Sequence, residues 1–315
     1  YGGSSGRHHH TRVYVFAFYN PVGDPRLAPR PPGSVLTKSS DPTQPTDFEY
    51  VGSVSTLYDE AKGRVDPVTQ QPIYDTDSGR FFQVAPWVVK NADVPGLPSV
   101  TGDGLILLGH GGPGSSVHMA WLPLTRGQDP DLSAIQYRAA DDHGERWSRR
   151  ESDAKNLFPT IGYTSLSLAW LPEAKRWLLL YSLASPGKLP GPCAESNPGS
   201  PTQHNPSGPI VARFGITPWE WSDEIIVFDP LRDNALGRYM HRHGCDSLDT
   251  LPPVLPPNRE LAYGGKPGWA YGAFLIAKYT KWTHDTRSLT IHYLLSTSVP
   301  YQVQLMRSTI HVPSD

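Results

Sequence analysis

Apolar positions along this chain fall in short runs of strand length, each closed by a cluster of Gly, Pro, Ser or Asp. No run longer than about ten residues keeps a 3.6-residue apolar period, so the pattern predicts an all-β protein. One arrangement recurs four times: an aromatic or aliphatic strand, a polar turn, and a second strand ending at another polar boundary. It pairs 12–19 with 33–39 and then 48–52, and 104–109 with 116–121 and then 134–138. It then pairs 176–182 with 209–214, with 224–228 outside, and 288–296 with 301–306. Innermost strands are expected ahead of the last three copies, at 82–89, 164–170 and 270–278. Repeated four-stranded meanders are the pattern of a β-propeller, in which radial repetition leaves only short sheet edges. A two-sheet sandwich accounts for the strands but not for the recurring inner-to-outer order. The first copy lacks an inner strand and the last an outer one, so part of the N-terminal blade is expected to be missing from the chain as given. Residues 188–207 and 241–259 are Pro-rich and unpatterned, which fits loops over one face of a single domain spanning 1–315.

Composition sharpens this picture. The 33 prolines and 29 glycines in 315 residues favour turns, and charged residues make up only 18%. A formal charge of −2 and the absence of Lys/Arg runs interleaved with aromatics argue against a nucleic-acid partner. No apolar stretch approaches the roughly 20 residues of a membrane-spanning helix. The two cysteines, Cys193 and Cys245, lie in Pro/Gly/Ser/His-rich loops and are read as a disulfide, with unpaired thiols as the alternative. The chain opens at Tyr1 with no charged-then-apolar leader, so a secreted or cell-surface location implies a signal peptide removed or omitted.

Two stretches resemble a known family. The first runs Trp147-Ser148-Arg149-Arg150-Glu151-Ser152-Asp153-Ala154, then Leu157-Phe158, Ile161-Gly162, Ser167-Leu168-Ala169-Trp170 and Arg176-Trp177-Leu178-Leu179-Leu180-Tyr181. The second is Ala270-Tyr271-Gly272-Ala273-Phe274-Leu275-Ile276, followed by the run from Leu295 to Ser308. Over about 104–310 the chain resembles the "domain of unknown function 4185" family. That resemblance implies a five-bladed propeller and a poly- or oligosaccharide partner, since some members are glycoside hydrolases that cut within D-arabinan. Where members carry Gly-Glu-Leu-Ser-Val this chain has Thr164-Ser165-Leu166-Ser167-Leu168, and where they carry Phe-Gly-Asp-Thr it offers Ala17-Phe18-Tyr19-Asn20. Both acidic positions are replaced, while glycoside hydrolysis takes two carboxyl groups flanking the scissile bond.

Other acids in loops near the inner strands are Asp24, Asp103, Asp141, Asp142, Glu151 and Glu260. Asp103, between two glycines, and Asp141-Asp142-His143-Gly144 have turn chemistry. Glu151 and Asp153 are placed on an outer strand, where they would form a bond between blades. The pair His241 and His243 finds no third ligand, so no metal is expected. His110 and His118 flank a glycine-rich turn without the lysine and helix of a phosphate loop, and no cofactor motif is present. Aromatics are more informative. Trp269 and Tyr271 open one innermost strand, and Tyr163 opens another with Ser165 beside it. Flat rings flanked by polar groups suit sugars. The expected binding residues are therefore Tyr163, Ser165, Trp269 and Tyr271, joined by His110 and Asp103. Three functions remain open: a glycoside hydrolase, a non-catalytic carbohydrate binder, and a protein-interaction scaffold.

Overall fold

A computed structural model describes residues 13–19, 33–41, 47–56, 79–111, 116–141, 144–159, 165–183, 208–230, 232–233, 235, 270–297 and 302–312. The chain divides into two compact units, Tyr1–Pro159 and Thr160–Asp315. Their described residues form four antiparallel sheets, two in each unit.

In the N-terminal unit the first sheet is the meander β1 (Tyr14–Tyr19), β2 (Gly33–Ser39) and β3 (Phe48–Thr56). The second runs β4 (Gln83–Lys90), β5 (Asp103–His110), β6 (Ser116–Leu124), β7 (Gln136–Asp141) and β8 (Gly144–Ser148), with β9 (Phe158–Pro159) paired to β6. Strand β5 carries the uninterrupted apolar run Leu105-Ile106-Leu107-Leu108, and both of its faces are buried, as such a run requires. One face packs Leu105 and Leu107, with Ala120, Leu122 and Tyr137, against Phe16, Leu36 and Val54 of the first sheet. On the other face the Trp121 indole N–H donates to Asn91 Oδ1 at 3.1 Å. This bond passes directly over Gly104, where any Cβ would collide with both side chains. Gly104→Ala is therefore expected to cost about 1–3 kcal/mol, read as a lowered urea midpoint; an unchanged midpoint would show that the bond is dispensable.

In the C-terminal unit the third sheet runs β10 (Ser167–Leu171), β11 (Arg176–Ser182), β12 (Ile210–Gly215) and β13 (Ile225–Phe228). In the fourth, β14 (Ala270–Leu275) and β15 (Lys281–Thr283) lie along one edge of β16 (Ser288–Thr297), and β17 (Gln302–His311) pairs along the other. The alternating burial of β16 matches a strand with one covered face: Leu289, Ile291, Tyr293 and Leu295 are buried, while Thr290, His292, Leu294 and Ser296 are not. The covered face looks toward the third sheet, for β14 packs on β10 and β11, and β17 on β13.

The all-β expectation holds, and the strands expected at 82–89 and 270–278 appear as β4 and β14. The strand expected at 164–170 starts at Ser167. Trp121 and Trp177 are core residues, as their positions inside strands implied.

Candidate functional site

Residues expected at the site are divided between the two units. In the N-terminal unit, antiparallel pairing sets His110 opposite Gln83 at the start of β4, and Asp103 opposite Lys90 at its end. The expected convergence of Asp103 with His110 does not occur. Seven strand steps of about 3.4 Å separate them, so they sit at opposite ends of the sheet, and Asp103 is exposed. His110 is buried, with Nε2 3.0 Å from Gln83 Oε1.

Around that end lies a polar cluster that ties the first sheet to the second. Glu151, on a short 3-10 turn, accepts a hydrogen bond from Ser55 Oγ of β3 at 2.5 Å and one from the Arg80 backbone N–H at 2.6 Å. A bond between sheets was expected of Glu151 and Asp153 from a place on an outer strand; β8 ends at Ser148, both residues lie on the turn that follows it, and only Glu151 makes such a bond. Burial raises its carboxyl above the ordinary range, against the opposing pull of the donors from Ser55, Arg80 and Gly79. Asp153 stays local, accepting from Ser148 Oγ at 2.6 Å and Arg146 at 3.4 Å. The Arg80 guanidinium donates to the Ala154 carbonyl. His118 Nδ1 faces the carbonyls of Ala154 and Lys155 at 3.2 and 3.1 Å, which requires a proton on that nitrogen. Burial, then the charge of Arg80, lower the His118 pKa to about 4. Each of these groups is held by the protein's own partners, which makes the cluster a fastening.

In the C-terminal unit Ser167 Oγ accepts the Leu275 backbone N–H at 2.9 Å and joins β10 to β14. Ser165 lies two residues before Ser167 and is half-buried. Tyr271 is half-buried near the start of β14, opposite Ser296. The structure adds a feature that was not expected there. Between Tyr271 and Phe274 the register shifts, so that Tyr271 faces Ser296 and Phe274 faces Leu294. Gly272 sits at this bulge with φ +68°, a backbone angle that favours glycine. In a regular strand two residues three apart point to opposite faces; the bulge brings Tyr271 and Phe274 to the same one. An isolated glycine inside a strand pattern was the available signal.

Tyr163, Trp269, Cys193, Cys245, Asp24, Asp142, Glu260, His241 and His243 lie outside the described residues. Among the described residues no group of three or more His, Cys, Asp or Glu is placed to hold a metal ion, and no helix is long and apolar enough to cross a membrane.

No family model matches the chain, and no curated protein matches it. Two solved structures are similar to it. One is an N-acetylgalactosamine deacetylase from F. plautii in complex with blood group B trisaccharide, at 11% identity over 88% of this chain and 58% of that one, with a TM-score of 0.37. The other is an endo-1,5-α-L-arabinanase from Thermotoga petrophila RKU-1, at 9% identity over 96% of this chain and 57% of that one, with a TM-score of 0.38. The chain thus spans less than two thirds of either. Both neighbours are named for carbohydrate chemistry, and scores at this level carry no argument about what this chain does.

Proposed function

We propose that the chain is a secreted or cell-surface carbohydrate-binding protein whose meanders are blades of a propeller, five in number as the sequence resemblance implies. The saccharide site is placed in the C-terminal unit, on Ser165 and Tyr271. What supports this reading is the pair of meanders there, joined by the Ser167–Leu275 bond: Ser165 stands two residues ahead of the first strand of one and Tyr271 on the first strand of the other, a hydroxyl and an aromatic ring on strands that the propeller reading makes innermost. A ring covers the apolar C–H face of a sugar, and a hydroxyl bonds its oxygens.

Binding is preferred to hydrolysis because cleavage takes two carboxyl groups. Serine stands at 165, where the resembling family carries glutamate. Among the candidate acids, Glu151 is engaged by Ser55 and Arg80. Affinity electrophoresis against a panel of soluble polysaccharides tests the reading. Tyr271→Ala is expected to weaken the retained interaction by about 1–3 kcal/mol, by analogy with stacking of bases on aromatic side chains. Tyr271→Phe, which keeps the ring, is expected to retain it. Equal retention of the alanine variant, with an unchanged melting temperature, would remove Tyr271 from the site.

A further inference from the structure

After β8 ends at Ser148, residues 149–159 turn back across the second sheet. This strap first crosses β7, where Ala154 bridges Ala139 and the Lys155 N–H donates to the Arg138 carbonyl at 2.8 Å. It then reaches β6, where the Leu157 N–H donates to the Val117 carbonyl at 2.8 Å and β9 pairs through its two residues. Its apolar anchorage is small. Among its described side chains only Ala154 and Phe158 are both apolar and buried. A segment held by few buried apolar groups opens at lower cost than the sheet beneath it.

Polar contacts supply the rest of the hold, and two of them converge on one carbonyl. The Arg80 guanidinium and His118 Nδ1–H both donate to the Ala154 carbonyl, and the His118 N–H is shared with the Lys155 carbonyl. His118 stands opposite Gly109 in the ladder, on the face that Leu107 and Ala120 turn toward the first sheet. The Phe81 ring covers Gly109 and lies 6.3 Å from the imidazole, centroid to centroid.

The other titratable and charged groups at this junction come from four directions. They are Arg80 from the entry to β4, Tyr137 from β7, and Glu151 and Lys155 from the strap, with Lys155 paired to Glu145 of β8. His110 belongs to the next residue pair of the ladder and so lies on the opposite face. Among the described residues His118 Nε2 has no acceptor. A second proton on the ring would stand buried there without a partner, beside a guanidinium that already uses the same carbonyl.

We propose that residues 149–159 are an acid-released strap, opened by protonation of His118 while the sheet beneath stays folded. Opening withdraws the Ala154 and Lys155 carbonyls and admits water to the imidazole, so the open form takes up the proton more readily than the closed one. Glu151 opposes the release. Burial raises its carboxyl, so the closed form is the one that protonates it first, and acid favours closure through this group.

Hydrogen exchange tests the proposal. Exchange at the Lys155 and Leu157 amides, divided by the rate of an unstructured chain at the same pH, measures opening of the strap; exchange at Leu107 of β5 measures opening of the sheet. In Glu151→Gln the opposing group is gone. With a His118 pKa of 6.5 in the open form and about 4 in the closed one, the strap ratio should then rise about thirtyfold from about pH 7.5 to about pH 5. Wild type is expected to rise less and His118→Gln not at all, while Leu107 stays protected in all three. Strap ratios in wild type and Glu151→Gln that rise no more than those of His118→Gln overturn the proposal. A rise at Leu107 equal to that at Leu157 overturns it as well, because the opening is then global.

Discussion

Acidification from neutral pH to about pH 4 will remove about 3 kcal/mol of stability through His118 alone. The ring is only 5% exposed, and its pKa falls from 6.5 to about 4 because burial and the nearby Arg80 disfavour the charged form. A histidine held neutral by the fold stabilises fully above its unfolded pKa. That contribution is lost as pH falls from 6.5 toward the folded value, because the unfolded chain takes up the proton first. Each pKa unit is worth about 1.4 kcal/mol. Glu151 acts with the opposite sign, since its raised carboxyl is neutralised by acid and loses its desolvation penalty. The lowered carboxyls of Asp131 and Asp153 act with the same sign as His118, but only below their ordinary value of 3.8. Urea titrations followed by tryptophan fluorescence across this range isolate the effect when paired with His118→Gln, whose amide can still donate to the Ala154 and Lys155 carbonyls. The variant should show a flatter dependence between about pH 6.5 and 4. An unchanged slope would mean that His118 charges freely in the folded protein.

Replacing Glu151 separates hydrogen bonding from charge. Glu151→Ala leaves the Ser55 hydroxyl and the backbone N–H groups of Gly79 and Arg80 without their shared acceptor where β3 meets the entry to β4. Ser55 and Gly79 are buried and Arg80 is half-buried, and at about 1–3 kcal/mol for a buried unpaired donor the expected loss is at least about 3 kcal/mol. Glu151→Gln keeps an acceptor oxygen and removes a charge that burial disfavours, so at neutral pH it should be as stable as wild type or more so. Equal destabilisation by both variants would show that the ionised carboxylate is what joins the sheets.

The strands were legible because burial writes itself locally. Both faces of β5 are covered, so its sequence is an unbroken apolar run; one face of β16 is covered, so it alternates. By contrast β8 (Gly-Glu-Arg-Trp-Ser) is largely exposed, carries no apolar pattern, and went unrecognised. The Glu151 fastening could be expected only in outline, since its partners Ser55 and Arg80 lie 96 and 71 residues away in the chain. Asp103 and His110 bound the run 104–109, which the apolar pattern already reads as one strand; an extended strand of that length holds its two ends far apart, so the two could not share one site with each other. The face-sharing of Tyr271 and Phe274 was hidden. Strict alternation sends them to opposite sides, and only the left-handed backbone at Gly272 corrects the count.

The central claim, that the C-terminal unit binds saccharide through Tyr271 and its neighbours, is tested most directly by nuclear magnetic resonance. The isotope-labelled chain would be titrated with a short oligosaccharide of a polymer that it retains. Amide shifts are predicted to move at Ser165, across Tyr271, Gly272 and Phe274, and at Ser296. A saturable titration whose shifts fall on the N-terminal unit alone, or that leaves these five amides unmoved, would contradict it.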